Sequence, residues 1–331
     1  MNWIEKGWYG HHKQTYWLLP LTVLFFVIGV VRRALFKLGL LKVNHFELPV
    51  IVVGNITVGG TGKTPFVLHL VELLKRMGYS PAIVSRGYGA SKSGPDFPRL
   101  VTRESSIEES GDEPKLLAMR SGCPVVIAPQ RSEAVRYIIE KTSADIVIAD
   151  DGLQHYAMDR DVEIVLLDAE RLFGNGWLLP VGPMRESPSR LNNVDLVVKN
   201  QGNDAEGAYH LVPGDIYTVE SSEPVVLEKG AKVHLVSGIG NPNRFEKTVA
   251  DLNLDIKSTT WFPDHHAFTK EDFAQIKLKE NEYLLMTEKD AVKCQSLAND
   301  KWLVLPISAN ISASLEAELV SIINKKCKKS T

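Results

Sequence analysis

The residues best placed for chemistry begin at Asn55. NITVGGTGKTP (55–65) follows the apolar run PVIVVGN (49–55) and precedes a helical pattern over 65–77 that stops at Gly78. Strand, glycine-rich turn, Lys-Thr and helix in that order make a phosphate loop. Thr57, Val58, Gly59, Gly60, Thr61 and Gly62 would curl so that successive N–H groups face phosphate oxygens. Lys63 would reach the β- and γ-phosphates, and Thr64 would offer its hydroxyl to Mg2+. The strict motif wants glycine where Thr57 stands; the GGTGKT core and its strand–helix context compensate. A second acidic site lies at DIVIADDG (145–152), an apolar run ending in Asp150 and Asp151. It resembles a Walker B strand, in which one carboxylate holds Mg2+ or its water shell. His155, just beyond in DGLQH, reads equally well as structural or functional.

A phosphate loop alone covers transferases, switches and motors, so the acceptor side must narrow the choice. SRGYG (85–89) ends an apolar run; Arg86 suits an anionic group, and its glycines allow close backbone approach. GDEP (111–114) opens a helix, where Asp112 and Glu113 lie near the positive end and stay ionised. Asp112 could take the proton of an attacking hydroxyl; the plainer alternative is a cap with a first-turn acid. FPDHHAF (262–268) supplies Asp264, His265 and His266, an Asp-His set for proton transfer without further ligands for a metal site. LLPVGPMRESPSR (178–190) carries Arg185, Glu186 and Arg190, which could contact phosphate or sugar hydroxyls. MTEKDAVK (286–293) weakly echoes a guanine-reading motif, the alternative being ordinary helix-start charges.

These segments need a frame. Apolar runs at 49–55, 81–85, 124–128, 145–150, 162–168 and 194–200 alternate with helical stretches, such as 132–141. Near-continuous apolar strands separated by helices predict a parallel sheet covered on both faces, with ligands at the carboxyl ends of its strands. Residues 206–228 turn polar around Pro213 and Pro224 and read as a linker, with a strand possible at YHLVPGDIYTV. A second βα series follows at 232–240, 255–262, 282–287 and 302–306. The expected fold is α/β: a P-loop NTPase-like, mostly parallel sheet domain (45–205), a smaller α/β domain (229–331) and an N-terminal membrane-associated helix (1–44). The KKCKK tail (325–329) reads as a solvated helix end.

That helix is the unusual stretch. Residues 17–31, WLLPLTVLFFVIGVV, carry no charge and would span about 22 Å as a helix, short of a full bilayer core. Arg32, Arg33 and Lys37 follow, and Trp3, Trp8, Tyr9, Tyr16 and Trp17 precede. The pattern points to a segment dipping into one leaflet with a basic collar; a spanning helix and a buried core helix are the alternatives. The remainder is ordinary. Over 331 residues, 44% hydrophobic and 24% charged, a net charge of -2 argues against nucleic-acid binding through overall charge. Cys123, Cys294 and Cys327 offer no disulfide framework.

GNITVGGTGKTP, SRGYG, GDEP, DDGLQH, GPMRE, DHHAF and TEKD, in this order behind an apolar N-terminus, resemble the tetraacyldisaccharide 4'-kinases of lipid A synthesis in Gram-negative bacteria. The resemblance covers nearly the whole chain. It implies a monotopic enzyme on the cytoplasmic face of the inner membrane. Such an enzyme transfers the γ-phosphate of ATP to the 4'-hydroxyl of a tetraacylated glucosamine disaccharide 1-phosphate, giving lipid IVA. It further implies Asp112 as general base, assisted by His265 with Asp264 beside it, and Asp150 and Asp151 at the metal, with Glu186 a further candidate. Asn55, Ser85, Arg86, Gly87, Tyr88 and Arg185 would meet the substrate. ATP and Mg2+ are the expected cofactors and no obligate protein partner is expected. The competing reading is a membrane-recruited P-loop GTPase or ATPase switch. A scaffold with a degenerate site fits poorly with an intact Lys63, Thr64, Asp150 and Asp151.

Overall fold

The computed structural model describes residues 3–10, 13–91, 93–200 and 208–327. Two helices lead the chain, α1 (Trp3–Tyr9) and α2 (Leu19–Lys37). With 19 residues, α2 is about 28 Å long. Its one buried residue is Thr22. Leu24 exposes 55% of its surface, Ile28 57% and Val31 51%, so the helix is apolar on faces that nothing in the chain covers. That arrangement excludes the buried-core alternative. The base of α2 is gripped by the loop before Met184: Thr22 Oγ1 accepts from the Val181 N–H at 3.2 Å, and Thr15 Oγ1 donates to the Val181 carbonyl at 2.9 Å.

The predicted strands form because short β-branched runs, apolar at every position, are stable only where both faces are covered. In chain order, the first eight strands are β1 (Val50–Gly54), β2 (Pro81–Ser85), β3 (Arg99–Val101), β4 (Val125–Ile127), β5 (Ile146–Asp150), β6 (Val162–Asp168), β7 (Leu196–Asn200) and β8 (Ala208–Pro213). β9 (Tyr217–Thr218), β10 (Lys232–Ser237), β11 (Asp255–Trp261), β12 (Glu282–Thr287), β13 (Trp302–Leu305) and β14 (Ile307–Ile311) complete them. Among the described residues they make a nine-stranded sheet, β14-β8-β7-β6-β1-β5-β2-β4-β3, and a five-stranded sheet, β11-β10-β12-β13-β9. β3 and β14 pair antiparallel at the two edges of the larger sheet, and β9 pairs antiparallel at one edge of the smaller.

Strand alternation divides the larger core into two layers. Ile51 and Val53 of β1 face α3 (Lys63–Arg76) through Phe66 and Leu70. Val50 and Val52 face Ala134, Val135 and Ile138 of α6 (Arg131–Lys141) on the other side. Between these helices the chain forms α4 (Ile107–Ser110) and α5 (Asp112–Ser121). The smaller sheet carries α7 (Pro242–Asp251), the single turn α8 (Lys270–Phe273) and α9 (Glu288–Cys294).

Strand pairing departs from the expected partition in two places. The expected linker 206–228 contains β8, which joins the larger sheet beside β7, and β9, which joins the smaller beside β13. The expected second domain 229–331 ends early: after Leu305 the chain returns as β14, antiparallel to β8, and as α10 (Ala313–Lys326). Leu315, Leu319, Ile323 and Cys327 then complete the core of the larger sheet, where α10 packs on β6. The two crossings run side by side, the Gly214 N–H donating to the Pro306 carbonyl at 2.9 Å. At the tail, Tyr79 Oη donates to the Cys327 carbonyl at 2.6 Å, so Cys327 is buried; Lys328 and Lys329 lie outside the described residues.

Leu319→Ala is expected to cost about 2–5 kcal/mol, read as a lowered thermal midpoint, because it opens a void in the larger core. Leu24→Ser on the exposed helix should change stability in detergent by less than about 0.5 kcal/mol. Equal effects of the two would contradict the packing described.

Candidate active site

The carboxyl ends of β1, β2 and β5 open onto a cavity of about 1210 Å³. The phosphate loop forms one wall. Gly62 has φ +81°, and a Cβ there would lie 2.2 Å from Tyr209 Oη and 2.7 Å from Asn200 Nδ2. Those two side chains are why only glycine fits. Tyr209 Oη donates to the carbonyls of Thr61 (3.0 Å) and Gly62 (2.8 Å), and Asn200 Nδ2 donates to that of Thr61 (3.1 Å). The loop's carbonyls are thereby turned into the protein, leaving the N–H groups beyond Val58 and the α3 N-terminus for anions. Val58 N–H donates to the Pro183 carbonyl at 2.8 Å, and Tyr9 Oη donates to the Val58 carbonyl at 3.2 Å. Asn55 is fully buried behind the loop, its Nδ2 reaching the Gly59 carbonyl at 3.4 Å.

Asp150 and Asp151 stand at the tip of β5 in opposite electrostatic surroundings. Asp150 is buried, Ser85 Oγ lies 3.5 Å from its Oδ2, and its Oδ1 has no hydrogen-bond partner among the described residues. Burial, reinforced by Glu113 and opposed by Lys63, pushes its carboxyl up to about 7. Asp151 takes φ +49° and turns to Arg185 Nη1, at 3.0 and 3.2 Å, and to Lys63 Nζ at 3.5 Å. Burial works against its charge, but Lys63 and Arg185 outweigh it and hold the carboxyl far below its ordinary range. Arg131, unremarked in the sequence, braces both from below, its Nη2 donating to the Asp151 carbonyl at 2.7 Å.

Thr64, Lys63 and Asp150 line the cavity together. Among the described residues no three His, Cys, Asp or Glu side chains form a metal cage. Glu186, expected as a metal ligand, lines the same cavity, and its oxygens accept from Tyr156 Oη (2.5 Å), Gln154 Nε2 (2.9 Å) and Arg33 Nη1 (3.4 Å). His155 stays neutral because burial, then the surrounding arginines, push it down to about 4. Arg86 and Tyr88 are exposed at the rim beside Gly87, and Arg86 has no ion-pair partner among the described residues.

Opposite the loop, α5 and the segment after β11 bring a second cluster together. Gly111, at φ +80°, lets α5 begin directly under Tyr88, whose carbonyl would stand 2.2 Å from an added Cβ. Asp112 is thus fixed and buried; its oxygens lie 2.9 and 3.1 Å from His265 Nδ1. Burial raises the Asp112 carboxyl, yet the His265 hydrogen bond and Lys289 outweigh it and hold it low. The hydrogen bond to Asp112 raises the His265 imidazole, against burial and Lys289. The Tyr88 ring packs on His265 with centroids 4.9 Å apart. His266 goes elsewhere, to Asp272 at 3.0 Å and into a stack on Phe262, so His265 alone of the pair meets Asp112. Asp264 reaches the cluster through Lys289 Nζ at 3.2 Å. Lys289 is the lysine of the TEKD run, read from the sequence as a weak echo of a guanine reader or as an ordinary helix-start charge, and not expected at this cluster. Asp290 of that run cannot read a base. It is fully buried and accepts from Ser237 Oγ (2.8 Å), the Gly238 N–H (3.1 Å) and Thr287 Oγ1 (2.7 Å).

The family described as Tetraacyldisaccharide-1-P 4'-kinase matches residues 14–325. The chain is 44% identical over 330 residues to a tetraacyldisaccharide 4'-kinase of Idiomarina loihiensis, covering 98% of each chain. It is 46% identical over 321 residues to one of Psychromonas ingrahamii, covering 97% of this chain and 99% of that one. A crystal structure of apo-form LpxK from Aquifex aeolicus in complex with ATP is similar to it with a TM-score of 0.78. That likeness is 29% identical in sequence and covers 95% of this chain and 100% of that one.

The buried Asp150 makes a prediction whose sign is fixed by its raised value. A carboxyl with a folded-state pKa above its unfolded one favours folding while protonated. That contribution is lost as pH rises from the ordinary carboxylate range through about 7. Asp150→Asn, neutral throughout, should therefore raise the thermal midpoint in EDTA, by more at pH 8 than at pH 5. Equal midpoints at pH 8 would overturn the description of Asp150 as an acid stressed by burial.

Proposed function

The chain belongs to the tetraacyldisaccharide-1-P 4'-kinase family, and on that premise we propose a lipid phosphorylation. It carries the γ-phosphoryl group of ATP to the 4'-hydroxyl of a tetraacylated glucosamine disaccharide 1-phosphate, the step of lipid A synthesis that yields lipid IVA. One observation carries the residue-level reading. A phosphate loop and His265, hydrogen-bonded to the buried Asp112 behind it, stand at one cavity, which the apolar helix α2 also lines through Phe25, Phe26 and Ile28.

The loop N–H groups and Lys63 hold the β- and γ-phosphates, with Asp151 keeping Lys63 and Arg185 aimed. Mg2+ fits Thr64 and Asp150: both offer hard oxygen donors, and the unpartnered buried Oδ1 lacks a cationic partner of its own. When bound, the ion neutralises phosphate charge. The acceptor's 4'-oxygen forms a bond to the γ-phosphorus while its proton passes to Asp112. The bond from that phosphorus to the β,γ-bridging oxygen breaks, and ADP leaves. His265 orients the Asp112 carboxylate, and Asp264 flanks it. Ser85, Arg86, Tyr88 and Arg185 line the cavity and surround the acceptor, the exposed Arg86 suiting an anionic group, whereas the expected Asn55 lies buried behind the loop and Gly87 serves as the turn between Arg86 and Tyr88. The bare apolar surface of α2, with Arg32 and Arg33 at its end, supports monotopic attachment to the cytoplasmic face of the inner membrane. No nucleic acid and no obligate protein partner enter this reading.

Radiolabelled ATP with the disaccharide 1-phosphate lipid in detergent micelles tests it. Label should enter the lipid fraction. Asp112→Ala should lower kcat by about 100-fold or more, with ATP affinity little changed. Glu113→Ala, the neighbouring acid that faces the cavity more openly, should lose less. Hydrolysis of ATP with no labelled lipid would overturn the kinase reading. Leu24→Ser, Val27→Ser and Val31→Ser together should weaken partition into anionic vesicles; undiminished partition would remove α2 as the attachment.

A further inference from the structure

Lys289 is a cation surrounded by the groups that matter most to this site, yet nothing in the reaction above uses it. It begins the second residue of α9, and its side chain is 18% exposed. Its ammonium lies 3.1 Å from Glu113 Oε1, 3.2 Å from Asp264 Oδ1 and 4.0 Å from Asp112 Oδ2. Its fourth neighbour is His265 Nε2, at 3.4 Å. An ammonium can only donate. A ring nitrogen facing it must present a lone pair, which puts the imidazole proton on Nδ1, the atom that meets Asp112. An imidazolium would set Nε2–H against the ammonium, an unfavourable like-charge contact.

We propose that Lys289 is a positioning residue for phosphoryl transfer: by facing Nε2 it opposes protonation of His265 and favours the ring with its single proton on Nδ1, which keeps Asp112 oriented while leaving it basic enough to take the hydroxyl proton. The proposal rests on the Asp112–His265 reading above. An imidazolium donates a stronger hydrogen bond than a neutral ring and leaves the carboxylate a poorer base. The groups facing the ring are Asp112 and Glu113 from α5, Tyr88 from the turn after β2, Asp264 from the ring's own segment and Lys289 from α9, with Lys293 one turn farther along. The Asp112 hydrogen bond raises the imidazole on balance, with Asp264 adding to it; burial and Lys289 oppose it, so Lys289 is the nearby cation that limits protonation of the ring. Burial counts against the Lys289 ammonium, but Glu113, Asp112 and Asp264 outweigh it, so this cation stays charged throughout the working range. Lysine, with a compact ammonium at the end of a flexible stem, reaches all of them at once.

The test is a mutant cycle on the full chain with labelled ATP and the lipid acceptor in micelles. K289M should lower kcat by about tenfold or more, with either KM changed less than about threefold. K289R should recover most of that loss. In a His265→Ala background K289M should cost nothing further, because its effect runs through the ring. The acid limb of the kcat profile should move to higher pH in K289M and stay in place in K289R. Wild-type kcat in K289M overturns the proposal. So does an undiminished K289M loss in the His265→Ala background, a loss that appears as a raised KM for ATP, or an unmoved acid limb. Asp112→Ala, assayed alongside, separates the two readings. Full activity there sinks the base assignment, whereas an inactive Asp112→Ala beside a fully active K289M sinks only the role of Lys289.

Discussion

The 2.9 Å contact between His265 and Asp112 constrains everything around it, because its partners stand 153 residues apart, one opening α5 beside the larger sheet and the other following β11 of the smaller. Local structure cannot produce such a contact; the relative placement of the sheets must. Three connections hold that placement. The chain crosses between sheets twice in adjacent segments, tied by Gly214 and Pro306. Arg244 of α7 pairs with Asp168 at the end of β6 at 2.7 Å. Glu288, buried at the start of α9, pairs with Arg120 of α5 and accepts from the Ile307 N–H at 3.1 Å. Glu288 adjoins Lys289, so the clamp between helices and the charges around the ring share one turn. Truncating one partner of such a buried pair strands the other without compensation.

The sequence declares the parts of this protein that local chemistry determines. β1, β2 and β5 are near-continuous apolar runs, the last two ending in Ser85 and Asp150, and the phosphate loop is a turn whose glycines and Lys-Thr follow directly from what it must hold. Strand allegiance was hidden. Tyr209 to Pro213 read as a strand within a linker and Ile307 to Ile311 carry no strand expectation; pairing with β7 assigns the first to the larger sheet, and antiparallel register with the first assigns the second. The hydrogen-bonded setting of Glu186 was hidden for a related reason. Its oxygens are claimed by Tyr156, Gln154 and Arg33, and Arg33 lies 153 positions away on the apolar helix. Lys289 lay in plain sight within TEKD, but a lysine's role depends on its counter-charges, and those come from two distant segments.

Neighbouring carboxylates illustrate how position outweighs residue type. Asp150 and Asp151 are adjacent and chemically identical, yet one is pushed toward neutrality and the other is locked as an anion. The difference arises from the left-handed backbone at Asp151, which swings its side chain to Lys63 and Arg185 and leaves Asp150 pointing inward. The same division recurs between His265 and His266: one ring meets Asp112, the other is absorbed by Phe262 and Asp272.

The grip on the phosphate loop reaches back to the first residues of the chain. Tyr9 holds the Val58 carbonyl, Trp8 Nε1 donates to the Pro180 carbonyl at 3.0 Å, and Val58 in turn hangs from Pro183. Cutting away the greasy N-terminus to make a more tractable, water-soluble form would therefore remove two braces of the nucleotide cradle along with the helix. Anchor and engine are not modular here. A fragment that stays in solution and handles ATP poorly would be reporting the loss of a hydroxyl and an indole, and its kinetics would say little about the intact protein.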